Sequence, residues 1–105
     1  MMSAEEKIKN DVIAALRNVI DPETGVDVVR MRLVLDLKIR EDGTADYVFR
    51  PSSPLCPIAL PLIISIIEAI KLVDGVFDQK ITVVDYVGAD ELNKLLATFP
   101  LSKQK

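Results

Sequence analysis

The order of elements readable in this chain is helix, strand, strand, helix, strand, helix, which predicts an α+β fold: one small domain with a three-stranded mixed sheet and helices packed mainly on one face. Three observations carry that prediction. An apolar pattern of helical period opens the chain, two runs of period two flank Glu41-Asp42-Gly43, and a strongly apolar helical segment from Ile58 to Val73 separates the second run from a third. A crossover helix placed after a hairpin sets the third strand parallel to the second. The 105 residues contain no repeat and no linker, so residues 1–105 read as a single domain.

Ser3-Ala4-Glu5-Glu6 has the spacing of a capping box, and Ile8, Val12, Ala15, Leu16 and Val19 then recur at three- and four-residue intervals. Pro22 disfavours helical geometry at Asp21, so the first helix is expected to end at about Ile20. Asp21-Pro22-Glu23-Thr24-Gly25 is the loop that follows. Its two carboxylates read either as part of a site or as an Asx-type turn beside a solvated glutamate.

From Val28 to Arg40 the pattern becomes that of a half-buried strand, with Leu33, Leu35, Leu37 and Ile39 on one face. Ala45, Tyr47 and Phe49 form the matching set on the second strand. A two-residue turn would set Ile39 opposite Asp46. A three-residue turn sets Ile39 opposite Ala45, Leu37 opposite Tyr47 and Leu35 opposite Phe49, which alone keeps the apolar sets together. The expected connection is therefore a type I turn with Gly43 left-handed and a bulge.

The loop Arg50-Pro51-Ser52-Ser53-Pro54-Leu55-Cys56-Pro57 carries the only cysteine of the chain and runs into the apolar helix. Proline suits a first helical turn, so Pro57 and Pro61 place Cys56 at or near the N-cap, where unpaired N-H groups and the helix dipole favour a thiolate. The competing reading is a small buried hydrophobe. In the helix itself, apolar residues fill an arc of about 200°, more than one sheet needs, and either the first helix or a second subunit would cover the surplus. Asp74-Gly75 is expected to stop this helix, with Gly75 left-handed. A third strand is expected from Ile81 to Val87. Asp90 then caps a last helix with Leu92, Leu95, Leu96 and Phe99 on its apolar face.

A net charge of −3 argues against a nucleic-acid partner, because phosphate affinity needs clustered Lys and Arg. A lone cysteine forms no internal disulfide and fits the cytoplasm. Met1 to Lys9 is polar and acidic, so no export signal is expected. The uncharged run from Ser52 to Ile67 contains three prolines and falls short of the roughly 20 apolar residues of a membrane span.

Asp21-Pro22-Glu23 after an amphipathic helix, a hydrophobic strand pair, Ser52-Ser53-Pro54-Leu55-Cys56-Pro57 entering a helix, and Val73-Asp74-Gly75-Val76 before a last strand together resemble the iron-sulfur cluster assembly domain family that includes SufT-like and PaaD-like proteins. The resemblance runs from about Ile8 to Val87. It implies a non-enzymatic accessory in maturing iron-sulfur proteins, with Cys56 at the position of the family's cysteine, Asp21 and Glu23 at its acidic motif, and Ser52 where threonine is usual. It also implies apo-protein clients and a P-loop cluster-carrier ATPase as partners. The chain departs from the family in three places: Arg32 or its neighbour stands where a first-strand glycine is common, the helix after Cys56 is more apolar, and no tryptophan follows the last strand. One cysteine and no histidine fall short of the four ligands of a usual cluster, so no cluster is expected to stay bound to the monomer. Iron or a cluster held at Cys56 would be transient and shared with a second subunit, as in a homodimer, or with a partner, the remaining ligands coming from that partner, a small thiol or carboxylates such as Asp21 and Glu23. A protein-interaction module without metal chemistry and a thiol enzyme are the readings from other classes.

Overall fold

The structure is a computed structural model, and it describes residues 3–53, 55 and 58–98. Helix α1 spans Ala4–Leu16, strand β1 Val34–Ile39, strand β2 Thr44–Phe49, helix α2 Ala59–Lys71, strand β3 Asp78–Val83 and helix α3 Ala89–Thr98. The sheet order is β1-β2-β3, antiparallel between β1 and β2 and parallel between β2 and β3, as the element order predicts.

Ser3 caps α1, its hydroxyl accepting from the Glu6 N-H at 3.2 Å. The helix ends at Leu16, earlier than Pro22 requires. Asn18 and Val19 tighten onto the carbonyls of Ala15 and Leu16, and Val19 and Ile20 leave the helix to pair with Val28 and Asp27.

The strand expected from Val28 begins only at Val34, because residues 27–32 close a single helical turn. The Asp27 carboxylate accepts from Arg30 N-H at 2.9 Å as its cap. Leu33 N-H then donates to the Val28 carbonyl and Arg32 N-H to the Val29 carbonyl, the paired bonds of a Schellman motif. Arg32 occupies the left-handed position of that motif, with φ of 58°.

The hairpin turn is the three-residue one: Ile39 pairs with Ala45, Gly43 has φ of 88°, and Gly43 N-H donates to the Arg40 carbonyl at 3.0 Å. Further along, the expected register fails. Asp36 at φ 53° starts a bulge that sets Asp36 and Leu37 against Tyr47 alone, so Leu35 faces Val48 rather than Phe49 and lies on the opposite side of the sheet from Ile39.

The covered face of β2 and β3 is Ala45, Tyr47, Phe49, Gln79, Ile81 and Val83, all buried. Helix α2 lies over it, pinned where the Tyr47 hydroxyl donates to Gln79 Oε1 at 2.8 Å and Gln79 Nε2 donates to the Ile67 carbonyl at 2.9 Å. Burial pushes the Tyr47 phenol well above its ordinary pKa. Helix α1 packs against both α2 and β1 and so covers part of the remaining apolar arc, while Leu60 stays 41% exposed. Ile63 and Ile67 are 0% and 1% exposed, which removes them from any contact between subunits.

Strand β3 begins and ends earlier than expected, and α3 packs beside it and caps the free edge at Val83. Asn93 mimics a neighbouring strand there: its Oδ1 accepts from Val83 N-H at 2.8 Å and its Nδ2 donates to the Val83 carbonyl at 3.0 Å. Leu92 and Leu96 are buried, whereas Leu95 is half exposed; Phe99 lies outside the described residues. Asp90 sits in the first turn of α3 rather than at its cap.

Candidate functional site

The two parallel strands β2 and β3 end on the same side of the sheet, and open α/β sheets place ligand sites in the crevice beyond such carboxyl ends. Three segments meet there: the Schellman turn before β1, the start of the Cys56 loop after β2, and the residues after β3. They line a cleft of about 370 Å³ formed by Met31, Arg32, Leu33, Arg50, Pro51, Ser52 and Asp85. Arg50 Nε donates to Asp85 Oδ2 at 3.0 Å, an exposed ion pair that ties the segment after β2 to the segment after β3. Arg32 has no ion-pair partner among the described residues. Asp85 is left-handed like Arg32, with φ of 52°.

Of the residues singled out from the sequence, Ser52 is exposed and lines this cleft. Cys56, four positions on, lies outside the described residues. Between them, Leu55 N-H donates to Ser53 Oγ at 3.2 Å. Helix α2 starts later than the prolines imply: Ile58 is its N-cap, Pro61 sits in its first turn, and no side chain caps it among the described residues. In sequence, Cys56 thus stands two residues ahead of the cap.

Asp21 is 2% exposed and organises its own loop. Its Oδ1 accepts from Glu23 N-H at 2.8 Å, and its carbonyl accepts from Thr24 and Gly25, the Asx geometry that the spacing allows. Glu23 is exposed. Thr24 connects this loop to the cleft, since its hydroxyl donates to Met31 Sδ at 3.2 Å. Among the described residues no three of His, Cys, Asp and Glu come together as a metal site.

Sequence reasoning missed the roles of Arg50 and Asp85 in the cleft. The available signal was positional, because each directly follows or closely follows the carboxyl end of one of two parallel strands. Arg32 was singled out only as a residue standing in place of glycine, and its φ of 58° supplies the physical reason that glycine suits the position.

A small α+β domain with a polar cleft at the root of a cysteine loop defines the class of protein. The chain matches the iron-sulfur cluster assembly protein family over residues 9–83, a span that includes Asp21, Glu23, Ser52 and Cys56, and it belongs to that family. It is 34% identical to the Fe-S protein maturation auxiliary factor YitW of Bacillus subtilis, over 76% of this chain and 78% of that one. It is 31% identical to an uncharacterized protein of Methanocaldococcus jannaschii, over 84% and 93% of the two chains. Among solved structures, a domain of unknown function from Bacillus anthracis superposes with a TM-score of 0.71 at 32% identity, covering 77% of each chain. A conserved hypothetical protein from Thermotoga maritima does so with a TM-score of 0.63 at 31% identity, covering 86% of this chain and 94% of that one.

Proposed function

We propose that this protein is an auxiliary factor in the maturation of iron-sulfur proteins, in which Cys56 as a thiolate contacts iron or a cluster as cargo on its way to an apo-protein client. The observation that carries the reading is the family match spanning the whole of the Asp21 and Cys56 loops. Chemistry supports it in two ways. The N-terminus of α2 has no side-chain cap among the described residues, so the N-H groups of Ala59 and Leu60, Pro61 having none, can stabilise a nearby anion. A thiolate is also the usual protein ligand of iron-sulfur clusters.

The ligand count makes the protein a station rather than a store. One cysteine and no histidine leave the remaining positions to another molecule, which is a client, a P-loop carrier ATPase or a second copy of this chain. Asp21 supports the acidic loop from within, and the exposed Glu23 is the carboxylate free to meet cargo. A reducing compartment, the cytoplasm, suits the single thiol. No helix among the described residues is long and apolar enough to cross a membrane. For the interaction-module reading, most of the apolar face of α2 is buried in the core and Leu60 is the part of it left exposed.

Anaerobic reconstitution with iron and sulfide, followed by absorbance and native mass, tests the reading. Wild-type protein should take up iron or a cluster and pass it to an added apo-protein, and Cys56→Ala should do neither. Equal uptake and transfer by Cys56→Ala would refute the role of the thiol.

A further inference from the structure

We infer that the cleft beside Ser52 is a carboxylate-binding site, anchored by the guanidinium groups of Arg32 and Arg50, that takes an aspartate or glutamate side chain of a docked protein. Two cations and one carboxylate line it, which leaves the cleft net positive in a chain whose net charge is −3. Arg32 has no ion-pair partner among the described residues. Asp85 takes the Nε edge of Arg50, and a guanidinium carries five N-H donors of which one carboxylate engages two at most. Donors therefore remain on both arginines, and Ser52 lines the same cleft.

Backbone conformation points the same way. Arg32 and Asp85 are two of the three non-glycine residues with positive φ among the described residues, and both line this cleft. Glycine would occupy the Arg32 position without steric cost, so the turn itself gains nothing from an arginine there. A guanidinium at the cleft is what the strained residue adds.

Openness selects the source of the carboxylate. The Arg50 and Asp85 side chains are 58% and 62% exposed, whereas small-molecule sites enclose most of their ligand. A shallow charged cleft fits an acidic side chain presented on another protein's surface. The site requires no iron and is independent of the role given to Cys56, so Cys56→Ala protein should bind the same probe unchanged.

The test is an amide chemical-shift titration with the peptide acetyl-Gly-Glu-Glu-Gly-amide, alongside its Gln-Gln counterpart and free glutarate. Saturable shifts are expected at Arg32, Leu33, Arg50, Ser52 and Asp85, with half-saturation weakened about tenfold or more in Arg32→Gln and by added salt. Arg32→Gly should lose the peptide while raising the urea midpoint, which separates the guanidinium from the fold. Absence of saturable shifts, equal binding of the Gln-Gln peptide, or an unchanged half-saturation in Arg32→Gln would overturn the site. Glutarate binding more tightly than the Glu-Glu peptide would overturn its assignment to a protein side chain.

Discussion

Replacing Gly43 by alanine tests how the hairpin is fastened to the rest of the sheet. Gly43 has φ of 88°, and its carbonyl accepts from Phe77 N-H at 2.9 Å, joining the turn to the entry of β3. A Cβ added there would overlap the Phe77 ring and stand 3.0 Å from the Gly75 carbonyl oxygen. The left-handed backbone costs about 1 kcal/mol for a non-glycine residue. Phe77 is 60% exposed and its ring can swing, but the Gly75 carbonyl is backbone, and displacing the two adds a further ~1–3 kcal/mol, taking the range for core overpacking as an upper guide. The sum of about 2–4 kcal/mol is a large share of the ~5–15 kcal/mol that holds a domain of this size.

Gly25 provides the control within the same molecule. Its φ is 71°, but nothing lies within 4 Å of its Cβ position, so Gly25→Ala should cost only the backbone share, about 1 kcal/mol. Urea unfolding followed by far-ultraviolet circular dichroism measures both. With a slope of about 2 kcal/mol per molar, Gly43→Ala should lower the midpoint by roughly 1–2 M and Gly25→Ala by about 0.5 M. In a Phe77→Ala background the Gly43→Ala cost should shrink toward that of Gly25. Equal midpoints for the two glycine variants would refute the steric argument and with it the packing of Phe77 over the turn.

Three further outcomes are expected. Asn93→Ala should cost about 1–2 kcal/mol in urea, because the Val83 N-H and carbonyl lose their side-chain partner at the edge of the sheet, and amide exchange at Val83 should quicken. Asp21→Ala should cost about 1–3 kcal/mol by removing a buried acceptor from Glu23 N-H, whereas Asp21→Asn, which keeps an Asx oxygen, should cost clearly less. Tyr47 has a folded pKa raised above its unfolded value near 10, so its contribution is fully present below that value and is lost as pH rises toward the folded one. A phenolate absorbance titration should therefore show one of the two tyrosines ionising only as the alkaline protein unfolds.

Periodicity and turn chemistry by themselves determined the element order, the mixed sheet, the three-residue turn at Gly43 and the membership of the Cys56 loop in a strand-to-helix connection. These features depend on neighbours within a few residues, where propensity and patterning act directly. Sequence pattern failed where a local motif outcompeted the strand. Asp27 as a cap and Arg32 as the left-handed residue convert Val28–Leu33 from strand to turn, and Asp36 inserts a bulge that moves Leu35 to the other face of the sheet. Only the tertiary structure decided that α1 covers part of the wide apolar arc of α2 and that Ile63 and Ile67 are buried within the chain. The arc's width states how much surface must be buried, but not by what. The cleft was likewise out of reach of the sequence, since Arg32, Arg50 and Asp85 are distant along the chain and meet because parallel pairing of β2 with β3 brings both carboxyl ends to one edge.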